Sequence, residues 1–247
     1  MITICRPEVR NAVDRATALA LTEAFDAFSD DDRFDVAILT GSGGTFCAGA
    51  DLKAISSGEG NRLETGSQAP MGPTRSQPSK PVIAAVEGHA VAGGLELAIW
   101  CDLRVVADDA IFGVFCRRWG VPLIDGGTVR LPRLIGAGRA MDMILTGRRV
   151  DAAEAKAIGL ADRVVASGAT LVAALELAQS LTKFPQPCMR ADRLNALTAF
   201  EHSIPDALSQ EFERSLPVAQ SCVAGAQRFA DGEGRGGSFV DIPRNES

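Results

Sequence analysis

Two glycine-containing segments of the sequence could bind a negatively charged oxygen. They lie at 45–52 and 88–97, and each runs from a short apolar stretch through a turn of small residues into a helical pattern. Such a turn leaves backbone N–H groups unpaired at a helix start, where the helix dipole favours negative charge. Either turn alone is more typical of a simple strand-to-helix connection. The pair favours a functional role, because two facing turns could place one oxygen between two donors, as in an oxyanion hole.

Glu96 is the first candidate for proton transfer. It lies in an otherwise apolar helical run, 95–100, three residues after Gly93. A carboxylate in such surroundings is costly unless it has a partner or a task. Burial also raises the pKa of a carboxyl towards the range in which it exchanges protons near neutral pH. A structural pairing with an arginine is the alternative, and the position beside the second turn favours catalysis.

The elements that must position these residues predict an α/β core followed by helices. The stretch 56–80 is rich in Gly, Ser, Pro and Gln without an apolar period, which indicates a mobile loop within a domain. Asp151 and Glu154 form a plausible capping pair at a later helix start. Strand patterns lie at 1–5, 36–40, 81–86 and 103–107. Helical patterns lie at 14–30, 93–100, 171–183, 191–201 and 205–229.

The change from alternating strands and helices to helices alone suggests the domain organisation. We expect an α/β core at 1–186 and a C-terminal helical region at 187–231. The glycine-rich residues from 232 to 247 cannot bury much surface, so they predict a disordered tail.

Composition and charge limit the classes of partner. The 247 residues are 46% hydrophobic and 23% charged, as in ordinary globular proteins with a substantial core. The net charge of -6 argues against nucleic acid or an anionic membrane as the main partner, although a few local cations could still hold a phosphorylated coenzyme. No segment resembles a signal peptide or a membrane span. Six scattered cysteines and two histidines favour neither a disulfide framework nor a metal site, so a reducing cytoplasm is the simplest location.

The two segments resemble the signatures of the crotonase (enoyl-CoA hydratase/isomerase) superfamily. They read Phe-x-Ala-Gly-Ala-Asp-Leu-Lys at 46–53 and Val-Ala-Gly-Gly-Leu-Glu-Leu-Ala-x-x-Cys-Asp at 91–102. The resemblance runs from Arg6 to about Val165 and is specific, because order and spacing both agree. The C-terminal helices match only in type. Further matches are Arg-Pro-Glu-Val-Arg-Asn-Ala at 6–12, Ile-Phe-Gly at 111–113, Gly-Gly-Thr-x-Arg-Leu-Pro at 126–132 and Ala-Ile-Gly-Leu at 157–160.

The resemblance implies a fold, a reaction and a set of site residues. The fold is a spiral of ββα units whose C-terminal helical region forms a homotrimer or a dimer of trimers. The chain would bind an acyl-CoA thioester and stabilise its enolate with the N–H groups of Ala50 and Gly93. No metal or redox cofactor is implied, since coenzyme A arrives as part of the substrate. The residues expected to contact substrate or coenzyme A are Arg10, Ala48, Asp51, Leu52, Lys53, Gly94 and Cys116.

The sequence departs from the family pattern at one catalytic position. Hydratases of this family use two glutamates; the first matches Glu96, and the second position holds Cys116. A thiol with a pKa of about 8.5 is a poor proton donor, so packing is favoured for Cys116 over a nucleophilic role. Asp125 is either a second catalytic carboxyl, as in some isomerases of the family, or the N-cap of the helix beginning near Gly126. We expect Glu96 and Asp125 to share the chemistry.

The sequence is compatible with three functions. Hydration of a 2-enoyl-CoA is the first choice, because it is the commonest reaction in the family. Double-bond isomerisation is the second, because it needs only proton shuttling and tolerates the loss of one glutamate. A non-catalytic acyl-CoA binding protein is the third, and the presence of Glu96 with Asp125 weighs against it.

Overall fold

The computed structural model describes residues 1–66, 68–220 and 222–234. It contains two compact units, Met1–Ala178 and a second that begins at Gln179. The predicted boundary between core and helical region, at 186 and 187, lies close to this division. From residue 235 onward the predicted disordered tail lies outside the described residues.

The first unit is built on a parallel sheet of five strands, in the order β1-β2-β3-β5-β8. Every residue of β3 is buried, which fits a central parallel strand covered on both faces. A smaller sheet has the order β4-β6-β7, with β4 and β6 parallel and β7 antiparallel. The strands are β1 (Ile2–Ile4), β2 (Ala37–Gly41), β3 (Val82–Val86), β4 (His89–Val91), β5 (Leu103–Ala107), β6 (Ile111–Gly113), β7 (Val150–Asp151) and β8 (Arg163–Val165).

The predicted ββα unit occurs where the site residues lie. A strand of the large sheet, β3, is followed by a strand of the small sheet, β4, and then by a helix, α3. The helices of the first unit are α1 (Arg15–Asp30), α2 (Leu52–Ser56), α3 (Gly93–Trp100), α4 (Gly127–Ile135), α5 (Ala137–Thr146) and α6 (Ala152–Ala157), and α7 (Thr170–Leu181) runs across the division. Short 3-10 helices lie at Pro7–Val9, Pro73–Arg75 and Phe115–Trp119.

Helix α1 confirms the predicted apolar spacing. Asp14 caps its start by accepting the N–H of Thr17, and its buried face carries Ala18, Leu21, Phe25 and Phe28. Phe25 meets Trp100 of α3 edge to face, with ring centroids 4.7 Å apart. The core therefore joins α1 to the helix that carries Glu96.

The segment 56–80 departs in part from the prediction of a mobile loop. Residues 69–74 are buried, and Pro73–Arg75 forms a 3-10 helix. Trp100 Nε1 donates to the Ser76 carbonyl oxygen at 2.9 Å, which ties this half of the segment to α3. The prediction was wrong here because the partners of these residues are distant in sequence.

The described part of the second unit is helical, as the sequence pattern predicted. They are α8 (Gln186–Thr198), a 3-10 helix at Ala199–Glu201, α9 (Ile204–Gln220) and α10 (Val223–Ala230). The helix predicted at 205–229 is thus two helices. Arg214 of α9 donates to Asn195 of α8 at 2.6 Å, and Asn195 donates to Ser215 at 3.0 Å. Among the described residues of both units, no helix is both long and apolar enough to span a membrane.

Candidate active site

The first glycine-containing turn lies directly beside the second. Cys47 N donates to the His89 carbonyl oxygen at 2.9 Å, and Val91 N donates to the Cys47 carbonyl oxygen at 3.1 Å. The chain therefore passes along β4 before it turns at Gly49, whose φ is 97°. A Cβ atom on Gly49 would lie 3.0 Å from the backbone nitrogen of Gly93. Glycine permits both the positive φ and the close contact between the turns.

The second turn is strained and tightly packed. Ala92, which precedes α3, has φ 53° and ψ -124°, a conformation rare for a residue with a side chain. A Cβ atom on Gly94 would lie only 2.1 Å from the Cys47 carbonyl oxygen. Because it has no side chain, Gly94 allows the two turns to pack in direct contact. Its predicted contact with substrate remains a prediction, since Gly94 does not line the cavity described next.

The structure brings both proposed oxyanion donors to one cavity. Ala50 and Gly93 line a cavity of about 830 Å³, together with Glu96, Cys116 and Asp125. Within the described part of the chain, neither the Ala50 N–H nor the Gly93 N–H donates to a protein acceptor. Two backbone donors are thus available beside two carboxyl groups.

Glu96 is buried, with 2% of its surface exposed. Its Oε1 atom accepts the N–H of Asp125 at 2.9 Å and the N–H of Gly127 at 2.8 Å. Burial raises the pKa of Glu96 to about 7, the charge of Asp125 acts in the same direction, and the Gly127 N–H opposes them. The carboxyl is therefore held in place and poised to gain or lose a proton near neutral pH.

Asp125 is a buried carboxyl of the same cavity and does not cap α4. Its Oδ1 atom accepts the Met71 N–H at 2.8 Å and the Thr74 hydroxyl at 2.6 Å. The N-cap of α4 is Gly126, which makes no side-chain capping bond. The capping alternative was therefore wrong, because the Glu96 carboxylate accepts the Gly127 N–H at this helix start. Burial raises the pKa of Asp125.

Arg130 connects the segment that contains Asp125 to the segment that contains Thr74. Its Nη1 atom donates to the Asp125 carbonyl oxygen at 3.0 Å and its Nη2 atom to the Thr74 carbonyl oxygen at 2.7 Å. Its charge lowers the pKa of both Glu96 and Asp125, against the larger effect of burial. Two further arginines, which follow Cys116 in the chain, have other partners: Arg117 donates to the Ile144 carbonyl oxygen, and Arg118 lies over the Phe115 ring.

Cys116 lies in the cavity on the short helix Phe115–Trp119, with 6% of its surface exposed. Burial raises the pKa of the Cys116 thiol, and the negative charge of Glu96 raises it further. At neutral pH the thiol is therefore protonated and a weak nucleophile. This agrees with a packing role, although Cys116 borders the reacting region.

Only some of the residues expected to contact coenzyme A line the cavity. Ala48 and Leu52 line the cavity, whereas Arg10 and Lys53 are exposed and do not. Asp51 caps α2 by accepting the N–H groups of Lys53 and Ala54, and it pairs with Arg6 at 3.1 Å. For Arg10, Lys53 and Asp51, contact with coenzyme A stays a prediction.

The polar cavity residues Arg15, Asn61 and Arg62 were not predicted from sequence. Within the described residues, Arg15 and Arg62 are the cations that line the cavity, and the Arg15 guanidinium donates to the Gly60 carbonyl oxygen. Asn61 also lines it; its Nδ2 atom donates to the carbonyl oxygens of Val13 and Pro70, and within the described chain its buried Oδ1 atom has no partner. Their sequence context, a helix start and a polar loop, gave no signal that would single them out.

Comparisons with known proteins agree with this architecture. A family model described as enoyl-CoA hydratase/isomerase matches residues 1–231. Enoyl-CoA hydratase EchA19 of Mycobacterium tuberculosis is 40% identical over 190 residues, which cover 74% of this chain and 70% of that protein. Carnitinyl-CoA dehydratase of Salmonella enteritidis is 43% identical over 182 residues, which cover 73% of this chain and 69% of that protein. The crystal structure of enoyl-CoA hydratase EchA1 from Mycobacterium marinum matches with a TM-score of 0.87 at 39% identity, covering 93% of this chain and 90% of that one.

Proposed function

Because the chain belongs to the enoyl-CoA hydratase/isomerase family, the crotonase superfamily, we propose that it adds water to the double bond of a 2-enoyl-CoA thioester. One observation carries this proposal. One cavity is lined by the buried residues Glu96 and Asp125 together with Ala50 and Gly93, whose N–H groups donate to no acceptor among the described residues. Relatives named as a hydratase and a dehydratase support a reaction that moves water.

The two N–H groups would bind the thioester oxygen and stabilise the negative charge it gains when C3 is attacked. A fixed donor of this kind contributes about 3 kcal/mol to transition-state stabilisation, because it needs no reorganisation as the charge develops. Coenzyme A would enter as part of the substrate, and the proposal involves no metal or redox group. Arg15 and Arg62, which line the cavity, would meet its phosphates.

Glu96 would act as the base that activates water. Its Oε1 atom is held by two N–H groups, so Oε2 is the oxygen left to accept a water proton. With a pKa of about 7, the carboxyl is substantially ionised at neutral pH and still basic enough to take that proton. The hydroxide oxygen would form its bond to C3 as the π electrons move to C2 and the thioester oxygen.

Asp125 would deliver the proton to C2. Burial raises the pKa of Asp125 and so favours its protonated form more than in an ordinary aspartate, and Oδ1 is held by Met71 and Thr74. After the addition, Glu96 carries a proton and Asp125 has lost one. Transfer from Glu96 to Asp125 through water in the cavity restores both groups, so that one water molecule is consumed in each cycle.

Double-bond isomerisation is a second candidate, and Cys116 is the observation that favours it. The position where hydratases of this family have their second glutamate holds a buried, protonated thiol. An isomerase removes a proton at one carbon and returns it at another without adding water. Glu96 and Asp125 together provide the base and the acid for such a shuttle.

Assays with two substrates separate these functions. Crotonyl-CoA that loses its conjugated thioester absorbance reports hydration, and a 3-enoyl-CoA that gains it reports isomerisation. We expect the first reaction to dominate, and to be lost in Glu96→Gln. Activity on neither substrate, with acyl-CoA still bound, would refute both enzymatic functions and leave an acyl-CoA binding protein.

We also propose that the second unit mediates self-association into a trimer or a dimer of trimers. Its helices expose large apolar side chains, and an exposed apolar face of this extent is typical of an interface. Sedimentation velocity at micromolar concentration should show a multiple of three chains, and a monomer would contradict the proposal. The exposed residues include Phe200, Ile204, Leu208, Phe212, Leu216 and Phe229.

A further inference from the structure

More than half of the residues that line the cavity are apolar. The segment that carries Cys116 continues through 124, and most of its residues that line the cavity are apolar. On another side, Leu63 lines the cavity from the loop that follows α2. We call these residues the apolar wall; they are Leu63, Phe115, Trp119, Val121, Pro122 and Ile124.

Several side chains of the apolar wall are exposed. Trp119 is 69% exposed, Leu63 is 78% exposed and Ile124 is 40% exposed. Large apolar side chains around one opening are typical of a surface that a ligand covers. The wall therefore offers an apolar surface at the edge of the proposed catalytic site.

The charged residues of the same segment do not line the cavity. Arg117 donates to the Ile144 carbonyl oxygen at 3.1 Å, and the Arg118 guanidinium lies 4.7 Å from the centre of the Phe115 ring. Cys116, which does line the cavity, carries a thiol that is neutral at neutral pH. The segment thus presents an uncharged surface next to Glu96 and Asp125, which favours an apolar substituent there.

We propose that the site prefers acyl-CoA thioesters with a large apolar acyl group, of the size of a decenoyl chain or larger, over crotonyl-CoA. This inference rests on the proposed function and specifies its substrate class. The acyl chain would pass the two carboxyl groups and cover the apolar wall. Each buried methylene contributes ~0.8 kcal/mol, which corresponds to about fourfold in kcat/KM. Burying three further methylenes would therefore raise kcat/KM by roughly sixtyfold.

Two measurements test the preference independently of each other. The first is kcat/KM for crotonyl-, hexenoyl- and decenoyl-CoA, which should rise along the series. The second is the dissociation constant of butyryl- and decanoyl-CoA for the Glu96→Gln variant, which does not depend on turnover. In Trp119→Ala both the rise in kcat/KM and the gain in affinity with chain length should flatten, and Trp119→Phe should restore part of each slope. Leu145→Ala is the matched control, because Leu145 is 67% exposed and lies outside the cavity lining.

The outcomes separate this inference from the proposed function. Turnover that is flat or falls with chain length would overturn the preference and leave the reaction intact. Tighter binding of decanoyl-CoA without turnover of any enoyl-CoA would support the apolar wall and refute the reaction. A Trp119→Ala variant with an unchanged slope and an altered oligomeric state would overturn the inference, since it would show that another protein chain covers Trp119.

Discussion

Replacing Glu96 with Gln separates the two roles that the structure gives this carboxyl. Its Oε1 atom accepts the N–H groups of Asp125 and Gly127, and a glutamine carbonyl oxygen of the same shape can accept both. The amide cannot take or return a proton near neutral pH. The variant should therefore keep the local structure while kcat falls by about a hundredfold or more.

The same substitution should make the protein more stable above neutral pH. Burial raises the pKa of Glu96 in the folded chain to about 7, from an ordinary value of 4.5. The folded state therefore binds this proton more tightly than the unfolded state, and the free energy of unfolding falls as pH rises from 4.5 to 7. At 1.36 kcal/mol per pKa unit, the full penalty above this window is about 3 kcal/mol. The uncharged amide of the Glu96→Gln variant would carry no such penalty.

Urea unfolding of both proteins between pH 4 and pH 8.5, with kcat measured on the same samples, is the assay. We expect equal free energies of unfolding at the acid end and a more stable variant at the alkaline end. Glu96→Ala is the contrasting variant: it leaves two buried N–H groups without an acceptor, at ~1–3 kcal/mol each. A Glu96→Gln protein that retains kcat, or that is less stable at every pH, would refute the reasoning.

The remaining predictions concern the neighbours of Glu96. Asp125→Asn should lower kcat about a hundredfold while Cys116→Ser is nearly silent, and the reverse pattern in steady-state assays would make Cys116 the catalytic group. Gly93→Val should abolish turnover, because its Cβ would lie 2.6 Å from Met71 Sδ at the donor; near-normal activity would contradict the assignment. Arg130→Met should move the acid limb of the kcat/KM profile to higher pH, because the guanidinium lowers the pKa of both carboxyls. Exposed Arg133→Met should not shift it, and equal shifts would disprove this role.

Local patterns in the sequence predicted the elements that form the scaffold. The apolar spacing of α1, the buried run of β3 and the start of α3 at Gly93 all depend on residues close in the chain. The two turns were predicted as a pair because both combine small residues with a following helix. Such features follow from periodicity and from the conformational freedom of glycine, which a single sequence displays.

Contacts between distant residues explain what the sequence did not predict. Aspartate is a common N-cap residue, so Asp125 was a candidate cap for α4. The Gly127 N–H at this helix start instead donates to the Glu96 carboxylate, 31 residues earlier. The sequence predicted a loop at 69–76 because the partners of this segment follow much later in the chain. Asp125 accepts hydrogen bonds from Met71 and Thr74, and Trp100 donates to the Ser76 carbonyl oxygen. Lys80 likewise gave no signal that it would be buried against the end of α1, where its Nζ atom donates to the Phe28 and Asp31 carbonyl oxygens.

The central claim is that this cavity forms the enolate of a CoA thioester and delivers a proton to C2. Nuclear magnetic resonance of a 2-enoyl-CoA incubated with the protein in deuterated water tests it most directly. We expect a 3-hydroxyacyl-CoA product that carries one deuterium at C2, formed by the wild-type protein and lost in Glu96→Gln. An enoyl thioester that binds, keeps its double bond and gains no deuterium at C2 would contradict the claim.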